Sequence, residues 1–292
     1  MKHIILVNPF AGKRNNIKYG ERIKLLLKKY DIESEIYTSD YPGHIGEIVN
    51  NLIKENTCRF YIVGGDGTIN EVASKIVNTS SEIVLIPAGT GNDLVKTVSK
   101  YQSLRKIIRE SINKKSQKID IIKVNDKYCI NISSVGFDSL VGKNVDIFKK
   151  FPFLTGKGKY NMSIFYSLIE NLNFDMDIYI NNQKLNGSYT LVAISNGKYY
   201  GGGIVPNPTS NIQDGLFNVC TITKTSVIDK LILLPKYQKG THSELKQVKH
   251  FTSENLVIHS KKDLPVSIDG EIFYAKKLDF KLLKDAINIL II

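Results

Sequence analysis

Three glycine-bearing stretches in this chain each follow a short apolar run. Asn8-Pro9-Phe10-Ala11-Gly12 follows Ile4–Val7, Gly64-Gly65-Asp66-Gly67-Thr68 follows Phe60–Val63, and Pro87-Ala88-Gly89-Thr90-Gly91-Asn92-Asp93 follows Ile83–Ile86. Glycine allows positive φ and close approach of the backbone to a ligand. A helix that opens right after such a turn offers free N–H groups and the positive end of its dipole, which suits phosphate. Thr68 and Thr90 add hydroxyl donors at the helix starts. Asp66 and Asp93 would repel a phosphate unless a cation stood between them, so the pattern points to Mg²⁺-assisted phosphate chemistry. Asp93 has a second reading, as the cap of its own helix. The P-loop pattern GxxxxGK(S/T) and the dinucleotide pattern GxGxxG are both absent, Leu94 standing where the latter needs its last glycine. Protein-kinase HRD and DFG triplets are absent too, so any nucleotide must be held by a different scheme.

The elements that position these turns read as alternating strand and helix. Strand-like runs are Ile4–Val7, Ile32–Tyr37, Phe60–Val63 and Ile83–Ile86. Between them, apolar residues recur with helical period at Ile23, Leu26, Leu27 and Tyr30, at Ile45, Ile48, Val49, Leu52 and Ile53, and at Ile69, Val72, Ala73, Ile76 and Val77. That order predicts a parallel sheet covered by helices on both faces, with ligands beyond the carboxyl ends of its strands. After about Lys123 the texture changes to short strands separated by Gly, Asn, Asp and Pro turns: Tyr128–Val135, Met176–Ile180, Tyr189–Ile194, Leu216–Thr223, Leu256–His259 and Val266–Ile268. Helical patterns stand out there only at Asn161–Leu172 and Val227–Tyr237. The fold class predicted is an α/β nucleotide-binding domain over residues 1–123 and a β-rich, sandwich-like domain over 124–292, with the last residues able to return to the first domain.

Composition bounds the function. The chain has 292 residues, 42% of them hydrophobic, enough for two cores. No run approaches the roughly 18 apolar residues of a spanning helix, and the start reads as a strand rather than a secretory signal, so a cytoplasmic protein is expected. Cys58, Cys129 and Cys220 lie far apart and read as reduced, buried thiols. His3, His44, His242, His250 and His259 show no spacing that suggests a metal site. The net charge of +12 favours anionic partners. The lysines are spread without a basic arm, which argues against nucleic acid.

Taken together the three stretches resemble the diacylglycerol kinase catalytic-domain family, which includes bacterial lipid kinases and the eukaryotic diacylglycerol, ceramide and sphingosine kinases. The resemblance runs on through Val135-Gly136-Phe137-Asp138, Tyr200-Gly201-Gly202-Gly203 with Pro206, Asp214-Gly215-Leu216-Phe217 and Ile268-Asp269-Gly270-Glu271. It implies an NAD kinase- and phosphofructokinase-like first domain and transfer of the ATP γ-phosphate to a lipid hydroxyl, with diacylglycerol the default acceptor and phosphatidic acid the product. By the same resemblance, Asn8, Pro9, Gly12, Thr38, Gly64, Gly65, Asp66, Gly67, Thr68, Asn70, Glu71, Gly89, Thr90 and Asn92 would hold the nucleotide. Asp66 and Asp93 would form the acidic set near Mg²⁺, and Glu271 would be the general base that takes the acceptor's proton, a role its chemistry suits. Judged alone, Asp269-Gly270-Glu271 also reads as a β-turn. A structural Mg²⁺ in the second domain would take the Asp214 carboxylate and the carbonyls of Asn211 and Leu216; Gln213 stands where the family often has a second aspartate.

A lipid acceptor requires membrane contact. Lys149–Tyr160 sets four lysines around Phe151, Phe153 and Leu154, the pattern of an interfacial anchor at the inner face of the membrane. Its bland reading is a solvated loop. A homodimer is left open. Two other classes compete: an NAD kinase-like enzyme with a soluble acceptor, and a catalytically silent nucleotide- or lipid-binding module.

Overall fold

The computed structural model describes residues 1–12, 15–99, 102–149, 162–163, 166–167 and 172–292. Strands β1 (Lys2–Val7), β2 (Ser34–Thr38), β3 (Cys58–Gly64) and β4 (Glu82–Pro87) alternate with helices α1 (Asn16–Lys28), α2 (His44–Leu52) and α3 (Asp66–Ile76). All the pairings among these strands are parallel, in the order β4-β3-β1-β2. Successive side chains of a strand point to opposite faces, and both faces are covered. Ile4, Leu6, Phe60, Ile62, Ile83 and Leu85 pack with Ile45 and Val49 of α2 and Ile69 and Val72 of α3. Ile5, Val7, Tyr61, Val63, Val84 and Ile86 pack with Ile23 and Leu27 of α1 and with Ile107 and Ile108 of α5 (Leu104–Asn113). Between β4 and α5 lies the short helix α4 (Asp93–Val98).

The remaining strands are β5 (Gln117–Val124), β6 (Lys127–Cys129), β7 (Ile132–Gly136), β8 (Phe174–Ile180), β9 (Gln183–Ser195), β10 (Phe217–Thr223), β11 (Val248–Ser253), β12 (Asn255–Ile268) and β13 (Glu271–Ile289), with helices α6 (Phe137–Lys149) and α7 (Val227–Lys239). Their apolar faces close on a second core that includes Val135, Ile178, Val192, Phe217, Leu256, Val266 and Phe280. The last residues of β13 pair in parallel with β4, Asn288 opposite Glu82 and Ile289 opposite Ile83, so one hydrogen-bonded sheet runs through both halves.

Several expected strand limits differ. Tyr128–Val135 is not one strand, because the Asp269 carboxylate takes the amides of Ile130, Asn131 and Ile132 and turns the chain between β6 and β7. Leu256–His259 and Val266–Ile268 belong to the single strand β12, whose register shifts between His259 and Leu264. The long β13 was not anticipated, nor were β5, β11 and α6. Helix α7 carries Pro235 inside it. The expected helix at Asn161–Leu172 falls mostly outside the described residues, and the membrane-contact segment Lys149–Tyr160 lies outside them from residue 150 on. No helix of the described residues is long and apolar enough to cross a membrane.

Candidate active site

Because β1, β3 and β4 are neighbours in register, Val7 beside Val63 and Gly64 beside Pro87, the three glycine stretches that follow them emerge side by side. The Asn8 amide donates to the Val63 carbonyl at 3.0 Å and the Ala88 amide to the Gly64 carbonyl at 3.1 Å. The Asn8 side chain donates to Thr68 Oγ1 at 3.0 Å, tying the first stretch to the first turn of α3. Contact between the stretches is backbone on backbone. A Cβ at Gly12, whose φ is +66°, would stand 2.1 Å from the Ala88 carbonyl oxygen, and one at Gly89 would stand 2.5 Å from Gly65 Cα. No other residue type fits either place without moving the chain.

These stretches wall a cleft of about 930 Å³. Asn8, Gly12, Gly65, Gly67, Thr68, Asn70, Glu71, Gly89 and Thr90 line it. Helix α3 opens into the site: Gly65 precedes it with no side-chain cap, so its first amides have no intrahelical partner and are free for an anion. Glu71 accepts the Gly46 amide at 2.7 Å and so joins α3 to α2. Five expected nucleotide residues are not in the cleft wall, and one of them, Asp66, lines the inner cavity instead. Thr38 ends β2, and the wall is formed by Ser39, Asp40 and Tyr41 after it. Gly64 lies behind the Thr68 side chain. Asn92 closes its own turn, with reciprocal 3.0 Å hydrogen bonds to Gly89. Pro9 stands between two residues of the wall, Asn8 and Phe10, without lining it. Phe10 and Tyr41, both exposed aromatics in the wall, were missed because single exposed aromatics carry no spacing signal.

Glu271 enters the same cleft from the second domain. It opens β13 opposite Ile268 of β12, after a two-residue turn in which Asp269 (φ 47°) and Gly270 (φ 95°) both take left-handed conformations, as an Asp-Gly hairpin turn requires. The turn reading and the site reading of Asp269-Gly270-Glu271 are therefore compatible. Asp269 faces inward, where its carboxylate takes the three amides between β6 and β7 together with the Cys129 thiol. Burial pushes its pKa up to about 6 against the lowering effect of those donors.

Asp66 and Asp93 line a second, inner cavity of about 300 Å³ between the two halves, with Asp138, Asp269, Tyr200 and Gly202. Asp66 accepts the Leu94 amide at 3.1 Å. Burial raises its pKa, the Asp93 charge acts in the same direction, and the Leu94 amide opposes. A half-buried carboxylate repelled by a second one, beside the uncapped amides of α3, fits a divalent cation. Asp93 differs: Lys96 Nζ donates to one oxygen and the Gly202 amide to the other, each at 2.7 Å. Asp138 was legible only as part of a motif. Burial pushes its pKa up to about 7, the Tyr237 hydroxyl donating to it at 3.1 Å.

The loop expected to hold a second cation sits apart. Asp214 accepts the Leu216 amide at 3.1 Å, and the Asn211 side chain accepts the Gln213 amide at 3.2 Å. Gln213 reaches the Lys118 carbonyl at 2.9 Å. Asp120, absent from the expected set, takes the amides of Gly215 and Asp285, each at 2.9 Å. Burial raises its pKa, and the charges of Asp285 and Asp214 add to that against those two amides. A cation at Asp214 would relieve this repulsion.

The architecture is thus an α/β domain whose strands end in backbone-walled glycine loops, joined through its sheet to a β-rich domain that contributes a carboxylate to the cleft. The diacylglycerol kinase catalytic domain matches residues 2–124, and the YegS C-terminal NAD kinase β-sandwich-like domain matches residues 131–291. The chain belongs to the family that joins these two domains. Among curated relatives, it is 29% identical over 294 residues to a Shewanella frigidimarina protein named "Probable lipid kinase YegS-like", covering 99% of this chain and 93% of that one. A Staphylococcus carnosus protein named as a candidate lipid kinase is 28% identical over 296 residues, 99% of this chain and 96% of the relative. Among solved structures, a diacylglycerol kinase from Bacillus anthracis matches the fold with a TM-score of 0.76 at 18% identity, over 100% of this chain and 97% of that one.

Proposed function

We propose that this chain is an ATP-dependent lipid kinase that transfers the γ-phosphate to a lipid hydroxyl, with diacylglycerol as acceptor and phosphatidic acid as product. The observation that carries the reading is the position of Glu271, which faces the phosphate loops from the opposite domain across one cleft. In this scheme the amides of Gly67 and Thr68 at the start of α3 bind the phosphates, and Phe10 and Tyr41 offer faces to the base. Glu271 accepts the acceptor's hydroxyl proton as its oxygen attacks the γ-phosphorus and ADP leaves. Asp66 is the carboxylate that would hold Mg²⁺, which when bound neutralises phosphate charge. Asp214, with the carbonyls of Asn211 and Leu216, would hold a structural cation. The first 123 residues would bind nucleotide and the remainder the acceptor. The enzyme would meet its substrate peripherally, at the inner face of the membrane.

A soluble acceptor is the specific rival, favoured by the NAD kinase likeness of residues 131–291. The test is transfer of label from γ-labelled ATP into organic-extractable product, with Mg²⁺ and mixed micelles of diacylglycerol or bacterial lipid extract. Label in the lipid phase, absent with Asp66→Asn, supports the reading, and chromatography names the acceptor. Label only in aqueous product with NAD overturns it.

A further inference from the structure

Cys220, His242 and His250 lie in neither cleft, and the sequence analysis found no metal spacing among them. The topology nevertheless brings them together. Cys220 on β10 and His250 on β11 stand directly opposite each other in the antiparallel ladder, and His242 lies in the connection from α7 to β11. One donor atom from each is within 4.8 Å of the other two, the only such triple of His, Cys, Asp or Glu among the described residues. Cys220 Sγ is 3.6 Å from His242 Nε2. A tetrahedral zinc ion, with Zn–S of about 2.3 Å and Zn–N of about 2.0–2.1 Å, holds sulfur and nitrogen about 3.6 Å apart.

The hydrogen bonds around the two rings suit ligation. Asn207 Nδ2 donates to Ser195 Oγ at 2.8 Å, so its Oδ1 is the acceptor for His250 Nδ1 at 3.0 Å. The proton is thereby held on Nδ1, and Nε2 keeps its lone pair, with only the exposed Ser243 hydroxyl 3.2 Å away. An imidazole backed by a side-chain or backbone oxygen is the usual arrangement of a metal-bound histidine. His242 is fully buried, and its Nδ1 has no hydrogen-bond partner. Its Nε2 stands 3.0 Å from the Pro206 carbonyl. Leaving a buried ring nitrogen unpaired costs about 1–3 kcal/mol. Moving the proton to Nδ1 frees Nε2, which already stands 3.6 Å from Cys220 Sγ.

We propose that Cys220, His242 and His250 bind a single zinc ion, with water in the fourth position on the exposed side of His250. Binding releases the Cys220 thiol proton and shifts the His242 proton between ring nitrogens. The ion ties β10, β11 and the end of α7 together. Its effect extends toward the active site, because the Tyr237 ring packs 4.9 Å from His242 while its hydroxyl donates to Asp138.

The test titrates the purified, reduced, metal-free full chain with Co²⁺. The expected result is a thiolate-to-cobalt charge-transfer band with d–d absorption of tetrahedral intensity, saturating at one equivalent and displaced by Zn²⁺. Cys58→Ser and Cys129→Ser retain it, while Cys220→Ser loses the charge-transfer band and His250→Ala weakens binding at least tenfold. His250 is exposed, so that variant remains a fair test should Cys220→Ser fail to fold. No band at one equivalent, or a band that His250→Ala leaves unchanged, overturns the proposal.

Discussion

The Asp93 carboxylate accepts the Gly202 amide at 2.7 Å, a hydrogen bond between residues 109 positions apart that joins the loop after β4 to the glycine loop of the second domain. Its other oxygen holds Lys96. With both oxygens engaged, Asp93 acts as a strut between the domains. Asp93→Ala should lower unfolding stability by about 1–3 kcal/mol, because it removes two charge-assisted hydrogen bonds, from Gly202 and Lys96, to a buried carboxylate. Asp93→Asn keeps an acceptor and should recover most of that loss in urea melts. Equal losses in both variants would remove the strut role.

Asp66 lines the inner cavity, and its carboxylate accepts only backbone amides. Asp66→Asn should cut kcat by about 10²-fold or more, the scale of losing one electrostatic stabiliser in an active site, with the far-ultraviolet dichroism unchanged. Retained turnover would exclude it from the chemistry.

Glu271 is exposed at the start of β13, so Glu271→Gln should leave the melting temperature unchanged. As general base its loss should lower kcat by about 10²–10⁴-fold with little change in the KM for ATP. A proportional rise in KM would instead make Glu271 a nucleotide-binding group.

Gly12 combines a φ of +66° with contact on the Ala88 carbonyl. Gly12→Ala should destabilise the chain by about 1–3 kcal/mol and weaken ATP binding, measured by calorimetry. Phe10→Ala, two residues away and exposed, should weaken nucleotide binding without the stability loss.

Burial raises the Asp138 pKa from 3.8 to about 7. The folded chain therefore binds more protons than the unfolded chain between about pH 4 and pH 7, and stability falls as pH rises through that window. Asp138→Asn removes this dependence. Urea melts of the two proteins at pH 5 and pH 8 should show the variant gaining relative to the wild type at pH 8. An equal difference at both values would place the carboxyl in water.

The three glycine loops were legible because each is a local event. An apolar run makes the strand, a glycine frees the turn, and a periodic apolar stripe makes the helix, all within about 20 residues, so β1, β3, β4 and α3 appeared close to where they lie. Strand β13 was hidden because Lys276, Lys277, Lys281 and Lys284 interrupt the apolar pattern through its middle, and because its partners β5 and β4 lie far away in the chain. The break between β6 and β7 was hidden for a similar reason, since it depends on Asp269 reaching back across the fold.

The residues alone determined where the glycine loops fall and which carboxylates accompany them, because those properties reside in residue type and short spacing. Tertiary structure alone decided that Asp93 braces while Asp66 beside it in the inner cavity accepts only backbone amides, that Glu271 shares the cleft, that Asp138 and Asp269 have raised pKa values, and that Cys220 stands beside two histidines. Charge state, hydrogen-bond partners and ligand geometry depend on what surrounds a group in space, and in this protein those neighbours come from distant parts of the chain.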